Sequence, residues 1–383
     1  MVPGDRTSNV GLVNFAFSEE QEELRRYARQ WMTERMPLER VRTLMSTPAG
    51  FDGADWAAVA ELGWQAMAIP EEYGGAGFGL LELAVLVEEQ GRGLFCGPFL
   101  STVMAAANAV LLAGSDEQKQ SILSGIASGD LVATLAVAER HAGWDGENLG
   151  TSATPQGEGW IIDGAKRFVL DGHTADLIIV AAQTPDGVGL FLVDGGAPGM
   201  SRTLLPTMDE TRKQAEIAFE GVRVAESARL PHGSTATLAA IDELMAVSLA
   251  LEQVGGAQAV LDMAVQYAKD RQQFGRPIGS FQAVKHMCAD MLLRVESARA
   301  AAYYAAWTVA EGSEEAATVV PLAKAYCSDA FFECAGTNIQ IHGGIGFTWE
   351  HDAHLYFKRA KSSQVMFGTP AQRREQLAER LGL

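Results

Sequence analysis

Two stretches near the C-terminus, DRQQFGRPIGSFQAVKH (270–286) and NIQIHGGIGFTWEHDAHLYFKRAKSSQVMFGTP (338–370), decide how the chain is read. They sit among long helical runs expected at 236–270, 278–311 and 314–338. Upstream, from Leu131 to about Leu230, the pattern changes. LVATLAVAE, WIIDGAKRFVLDG, DLIIVAAQ, GLFLVDG and KQAEIAFEGVRV are short, β-branched or alternating, and bounded by Gly, Asp, Asn or Pro. They predict an antiparallel β block of roughly a hundred residues between helical regions.

The N-terminal third reads as helical. Ser18 followed by Gln21 is a capping box, with Phe17 placed as a staple residue. Phe17, Leu24, Tyr27 and Trp31 recur at helical spacing and predict one apolar stripe. LGWQAMAIPEEYGGAGFG breaks that pattern with Pro70 and its glycines. A second helix is expected from about Leu80 to Gly91, and a third run after GSDEQKQSILSGIASGD, near residue 130. The resulting expectation is three blocks: 1–130 helical, 131–235 an antiparallel β domain, 236–383 a helical bundle. There is no internal repeat and no low-complexity linker.

Composition bounds the function. In 383 residues, 48% are apolar and 20% charged, a globular balance with enough chain for a large core. A formal net charge of −18 argues against nucleic acid as the main partner, because phosphates need a basic face. Cys96, Cys288, Cys327 and Cys334 form no CxxC pair, so a reduced cytoplasm is the expected compartment; Cys327 and Cys334, seven apart, read as core. No apolar stretch is expected to span a membrane, and the N-terminus lacks the form of a signal peptide.

RxxFGxxIxxFQ and QxHGGxGF at this separation, behind an α–β–α order, resemble the acyl-CoA dehydrogenase family from about residue 15 to the C-terminus. IPEEYGGAGFG and WIIDGAKRFVLDG add to the resemblance. It implies an α+β fold with N-terminal helices, a central antiparallel β domain and a C-terminal helical bundle, assembled as dimers that pair into tetramers. It also implies FAD. Arg271 offers a planar fork for the pyrophosphate, and Gly343 and Gly344 let backbone N–H groups approach phosphate oxygens. Phe274 would pack on the cofactor, while Gln282 and Gln340 would hydrogen-bond its ribityl or adenosine part. In the family these residues reach across the dimer interface to a neighbour's FAD. Thr369, in the chain's own half of the site, is also retained.

The departures from the family concern that own half. The family's glutamate base lies in a YEGT-like stretch, which here is Met366-Phe367-Gly368-Thr369, so Phe367 stands at the base position. The other family position, 26 residues before the RxxFG arginine, is Met245. Neither accepts a proton, and loss of a general base alone costs about 10²–10⁴ in rate. The TEPxxGSD-like segment reads Ala138 to Asp145, with Ala138 and Trp144 in the hydroxyl positions, Trp144 reading equally as a plug or as core. Leu170 replaces the threonine of the WITN-like strand, Ala246 the arginine of DxxR, and Ala371 the glutamine of the GTxQ-like turn.

Such an imbalance is expected of a subunit without its own base, completing the FAD site of a catalytic acyl-CoA dehydrogenase subunit in a heterotetramer. The expected activity is α,β-desaturation of an acyl-CoA thioester, with a sterol side-chain CoA in view and an electron-transferring flavoprotein as acceptor. Two alternatives stand beside it: a self-sufficient dehydrogenase using Glu243 as base, and a flavin monooxygenase or oxidase on the same fold. Glu243 lies two residues before Met245, about 200° around the helix, and matches the aspartate of DxxR better. His342 reads as a packing or capping residue, and His351, Asp352 and His354 as a solvated loop rather than a metal site.

Overall fold

The computed structural model describes residues 17–144 and 146–383. The helix α1 (Glu19–Arg35) begins where the capping box predicts it: Ser18 Oγ accepts from the Gln21 amide (3.2 Å), and Gln21 Oε1 accepts from the Ser18 amide (3.1 Å). Phe17 meets Tyr303 edge-on at 4.8 Å. The buried stripe differs from expectation. Ala28, Trp31 and Met32 turn inward, whereas Tyr27 is 50% exposed, because one residue is 100° of helical phase. Next come α2 (Leu38–Met45), α3 (Gly53–Glu61) and α4 (Leu80–Gly93). A π-helical stretch, Leu100–Ala106, runs into α5 (Ala107–Ala113), followed by α6 (Asp116–Ala127). The third helical run therefore lies within GSDEQKQSILSGIASGD rather than after it. Ser115 and Gln118 form a second capping box that starts it there.

Seven strands follow in one sheet: β1 (Ala133–Ala136), β2 (Ser152–Gln156), β3 (Gly159–Leu170), β4 (Leu177–Thr184), β5 (Gly187–Asp194), β6 (Met200–Leu204) and β7 (Gln214–Ala225). Their order is β1-β4-β2-β3-β7-β6, with β5 on β4. The sheet is mixed rather than wholly antiparallel, since β1 and β2 both meet β4 in parallel. All four residues of β1 are buried, as in a parallel strand covered on both faces, and its one polar side chain, Thr134, donates to Leu170 O at 2.6 Å. The cover on one side is the π-helical stretch, whose Thr102 Oγ1 donates to Ala133 O at 2.9 Å.

The C-terminal block contains α7 (Thr235–Asp270), a small hairpin of β8 (Gln272–Gln273) and β9 (Arg276–Pro277), α8 (Gln282–Ala310), α9 (Ala316–His342), α10 (Ala353–Val365) and α11 (Pro370–Arg380). α7 packs backbone to backbone on α4. A Cβ on Gly91 would lie 2.1 Å from Glu252 O, and one on Gly255 would lie 1.8 Å from Glu88 O. Contrary to expectation, α7 is long and apolar enough to cross a membrane, but 83% of that apolar window is buried inside the protein. It is a core helix.

Candidate functional site

The Arg271 segment starts where α7 ends. Arg271 leaves the helix in extended conformation, and its amide still donates to Tyr267 O at 2.8 Å. The hairpin turns at Phe274 and Gly275, both with positive φ (53° and 76°), the requirement of a tight two-residue loop. Phe274 is thus a non-glycine in left-handed backbone whose ring is 91% exposed, with only an edge contact to Phe281 at 6.1 Å. Arg271 and Gln282 are exposed as well. Among the described residues, the Arg271 guanidinium has no ion-pair partner.

The glycine segment begins where α9 ends. Gly343 adopts φ 65°, ψ −139°, a backbone open only to glycine. A Cβ on either Gly343 or Gly344 would meet nothing among the described residues, and Gly344 has no positive φ. Among the described residues, then, neither crowding nor backbone conformation requires glycine at 344. Gln340 and both glycines are exposed. His342 joins the two segments, its ring stacked on Tyr267 at 4.1 Å, one helical turn before Arg271. Beyond the glycines, Phe347 is 78% exposed and Trp349 carries Lys358 Nζ over its ring at 4.6 Å. Thr369 lies elsewhere: its hydroxyl caps α11 in a capping box with Gln372.

Between the sheet and the C-terminal helices lies a cavity of about 640 Å³, walled by Trp144, Phe168, Met208, Val365 and Met366 among others. The two positions where the resemblance leads one to expect a base hold apolar side chains. Met245 is fully buried, and Phe367 is buried in left-handed backbone (φ 48°) with its ring stacked on Trp144 at 4.1 Å. Trp144 therefore forms a wall with Phe367, and the cavity remains open beside it. Arg373 holds this turn by donating from Nε (3.0 Å) and Nη2 (2.5 Å) to Phe367 O, and the buried Lys324 Nζ lies 3.4 Å from Gly368 O.

Three carboxylates line the cavity, and each is committed to a cation: Glu139 to Lys166 (2.7 Å), Asp209 to Arg359 (2.7 Å) and Asp242 to Arg373 (2.8 Å). Burial raises the Glu139 carboxyl, but the Lys166 contact and backbone donors outweigh it and leave it below its ordinary value. Glu243 does not line the cavity, since helical phase gives that place to Asp242. Burial, and then the neighbouring Asp242, hold Glu243 above its ordinary value. Ala138, Leu170 and Ala246 are buried without a hydroxyl or charge to offer, and Ala371 is exposed. Asp145 lies outside the described residues.

Several site residues escape sequence reasoning. Lys166 and Lys324 are fully buried; burial lowers Lys166 to about 8 and Lys324 to about 7. Behind the cavity, Arg359 (1% exposed) bonds Asp209 and Thr211 and approaches Glu252 at 3.7 Å, while Arg212 pairs with the same Glu252. No local pattern announces these partners, because they come from distant parts of the chain. His351 and His354 enter an aromatic and cationic cluster with Trp349 and Arg42, and Arg42 bonds Asp352 at 2.7 Å. Cys327 and Cys334 are core residues whose thiols burial pushes up to about 12.

Comparison with known proteins agrees along the whole of this architecture. The acyl-CoA dehydrogenase N-terminal, middle and C-terminal domain families match residues 18–130, 134–222 and 232–382. The chain is similar to acyl-CoA dehydrogenase IpdE2 of Mycolicibacterium smegmatis, 35% identical over 364 residues, covering 94% of this chain and 97% of the relative. A chain of the ChsE4-ChsE5 complex from Mycobacterium tuberculosis is similar with a TM-score of 0.89 and 30% identity, over 96% of this chain and 99% of that one. A chain of a variant of the Tcur3481-Tcur3483 steroid ACAD gives 0.86 at 32% identity, over 95% and 98%. The chain belongs to the acyl-CoA dehydrogenase family. Its class is that of FAD-dependent oxidoreductases acting on CH–CH bonds.

Proposed function

We propose that this chain is the subunit of a mixed acyl-CoA dehydrogenase that lacks the base and completes the FAD site of a catalytic partner. The observation that carries this reading is an asymmetry. Among the described residues, the cavity on this chain's own side presents no carboxylate free of a cation, and its two base positions hold Phe367 and Met245. The outward segments, by contrast, are built for something outside the chain. Among the described residues Arg271 has no ion-pair partner and nothing occupies the room beside Gly344, and Phe274 carries an exposed ring on left-handed backbone.

These groups fit the dinucleotide part of FAD. Arg271 would bond the pyrophosphate, Gly343 and Gly344 would bring backbone N–H groups to its oxygens, Phe274 would cover the ring system, and Gln282 and Gln340 would bond the ribityl or adenosine part. Thr369 supports its own side of the site through the turn it caps. Bound FAD supplies the hydride acceptor for α,β-desaturation, while the partner supplies the proton-accepting side chain and the acyl-CoA pocket. The blocks 1–130, 131–235 and 236–383 would then assemble, in the cytoplasm, as one half of a heterotetramer. A sterol side-chain CoA is the substrate class we favour, supported by the steroid ACAD among the similar structures. An electron-transferring flavoprotein would take the electrons.

Co-production with a base-bearing acyl-CoA dehydrogenase subunit tests this. The chain alone is expected to purify colourless or poorly folded, and the mixed complex yellow and active on an acyl-CoA. A yellow assembly of this chain alone that bleaches with an acyl-CoA would overturn the reading.

A further inference from the structure

The two outward segments belong to different helices, α7 and α9, and what joins them is a three-ring stack. His342 lies flat on Tyr267 (4.1 Å, 28°), and His351 is tilted against His342 (4.4 Å, 54°). Each ring is anchored to a part of the clamp. Tyr267 O takes the Arg271 amide, His342 immediately precedes Gly343, and His351 lies in the loop that follows Phe347, where its Nδ1 accepts from the Ala353 amide at 3.1 Å. His342 itself is buried, with Nδ1 2.8 Å from Asn338 O. A carbonyl only accepts, so Nδ1 carries the hydrogen, and Nε2 is the nitrogen left to titrate.

We infer that His342 is a positioning residue of the cofactor clamp: its ring keeps the Arg271 hairpin and the Gly343–Gly344 turn in register, and charging it in acid loosens the hold on FAD. This inference rests on the clamp reading above. The surroundings favour the neutral ring. From the following loop it faces a second imidazole, His351. That loop carries two carboxylates: Asp352 is already bonded to Arg42 of α2 and Glu350 is exposed to solvent, while His354 and Lys358 of α10 lie beyond. The Asn338 carbonyl at Nδ1 and the Tyr267 face, on α7, favour the charged ring, but burial outweighs them. Burial, and then the presence of His351, hold His342 below its ordinary value. As pH falls the proton enters against that resistance, and the stack opens to solvate it.

The experiment uses the mixed complex with its partner and follows release of FAD by the fluorescence of liberated flavin at about pH 7.5 and about pH 5.5. The native complex should release FAD about tenfold faster at the lower pH. His342→Phe keeps a ring on Tyr267 and removes the titration, so its release should be slow at both values. His342→Ala should release quickly at both. Identical pH profiles for the native and His342→Phe complexes would overturn the inference, as would slow release from His342→Ala at the higher pH. If His342→Ala fails to assemble, the His342→Phe comparison still decides. Arg271→Ala separates the two ideas. If it leaves FAD release unchanged, the clamp reading itself fails; if it frees FAD while the His342 variants follow the native complex, only the present inference fails.

Discussion

Arg359 is surrounded by everything a buried guanidinium needs: Asp209 Oδ2 at 2.7 Å from its Nε, Thr211 Oγ1 at 2.6 Å from its Nη2, and Glu252 at 3.7 Å. Replacing it by leucine removes the cation and leaves the buried Asp209 without its ion pair, while Glu252 keeps Arg212. Arg359→Leu should therefore cost about 3–5 kcal/mol in urea unfolding, the usual cost of breaking a buried pair from one side. Adding Asp209→Asn to that variant should return part of the loss; a single mutant as stable as the native chain would contradict the burial. Nothing local foretells this cluster, since Asp209 and Arg359 stand 150 positions apart. That Phe367 and Met245 stand where the resemblance expects a base is legible without a structure, because phenylalanine and methionine take up no proton wherever they point. What identity does not tell is that Trp144 walls the cavity rather than filling it, because ring placement follows from its stacking on Phe367.

At the scale of elements, the close crossing of α4 and α7 sets a sharp test. A methyl on Gly255 would fall 1.8 Å from Glu88 O, and backbone has no flexible end to withdraw. Gly255→Ala should force the helices apart at a cost of about 1–3 kcal/mol or more, read as a lowered Tm, despite alanine's better helix propensity. A stabilised variant would mean the crossing is looser than described. Capping chemistry makes α1 legible, because the Ser18–Gln21 signal is local. The same signal at Ser115 and Gln118 marks α6, and overlooking it puts the third helical run one element too late. The parallel pairing of β1 is hidden for a different reason. Its four buried residues suit either direction, and only the partner strand β4, some forty residues later, sets it.

For the whole molecule, the buried lysines tie stability to pH. Lys324 is lowered from 10.5 to about 7 and Lys166 to about 8, in each case chiefly by burial. Between those values and 10.5 the unfolded chain holds more protons than the folded one, so stability rises with pH across that window. The slope should approach ~1.4 kcal/mol per pH unit for each lysine that carries the difference. Melting curves from about pH 7 to about pH 9 should show it, and Lys324→Met should lower stability while flattening the rise. A falling Tm over that range would contradict the burial of both groups. The three-block order is legible because hydropathy period changes twice along the chain, whereas these lysines are not, since a lysine in sequence reads as surface.

α7 extends from the cavity-lining Asp242 to the threshold of the Arg271 hairpin, so a single rigid rod fixes their separation at roughly 40 Å. On the proposed reading, a molecule lodged in this chain's own cavity is therefore held out of reach of a flavin gripped at the far tip. The rod also sets azimuth: one residue inserted near Gly255 would swing the hairpin by about 100° and aim it away from a companion docked on the original bearing.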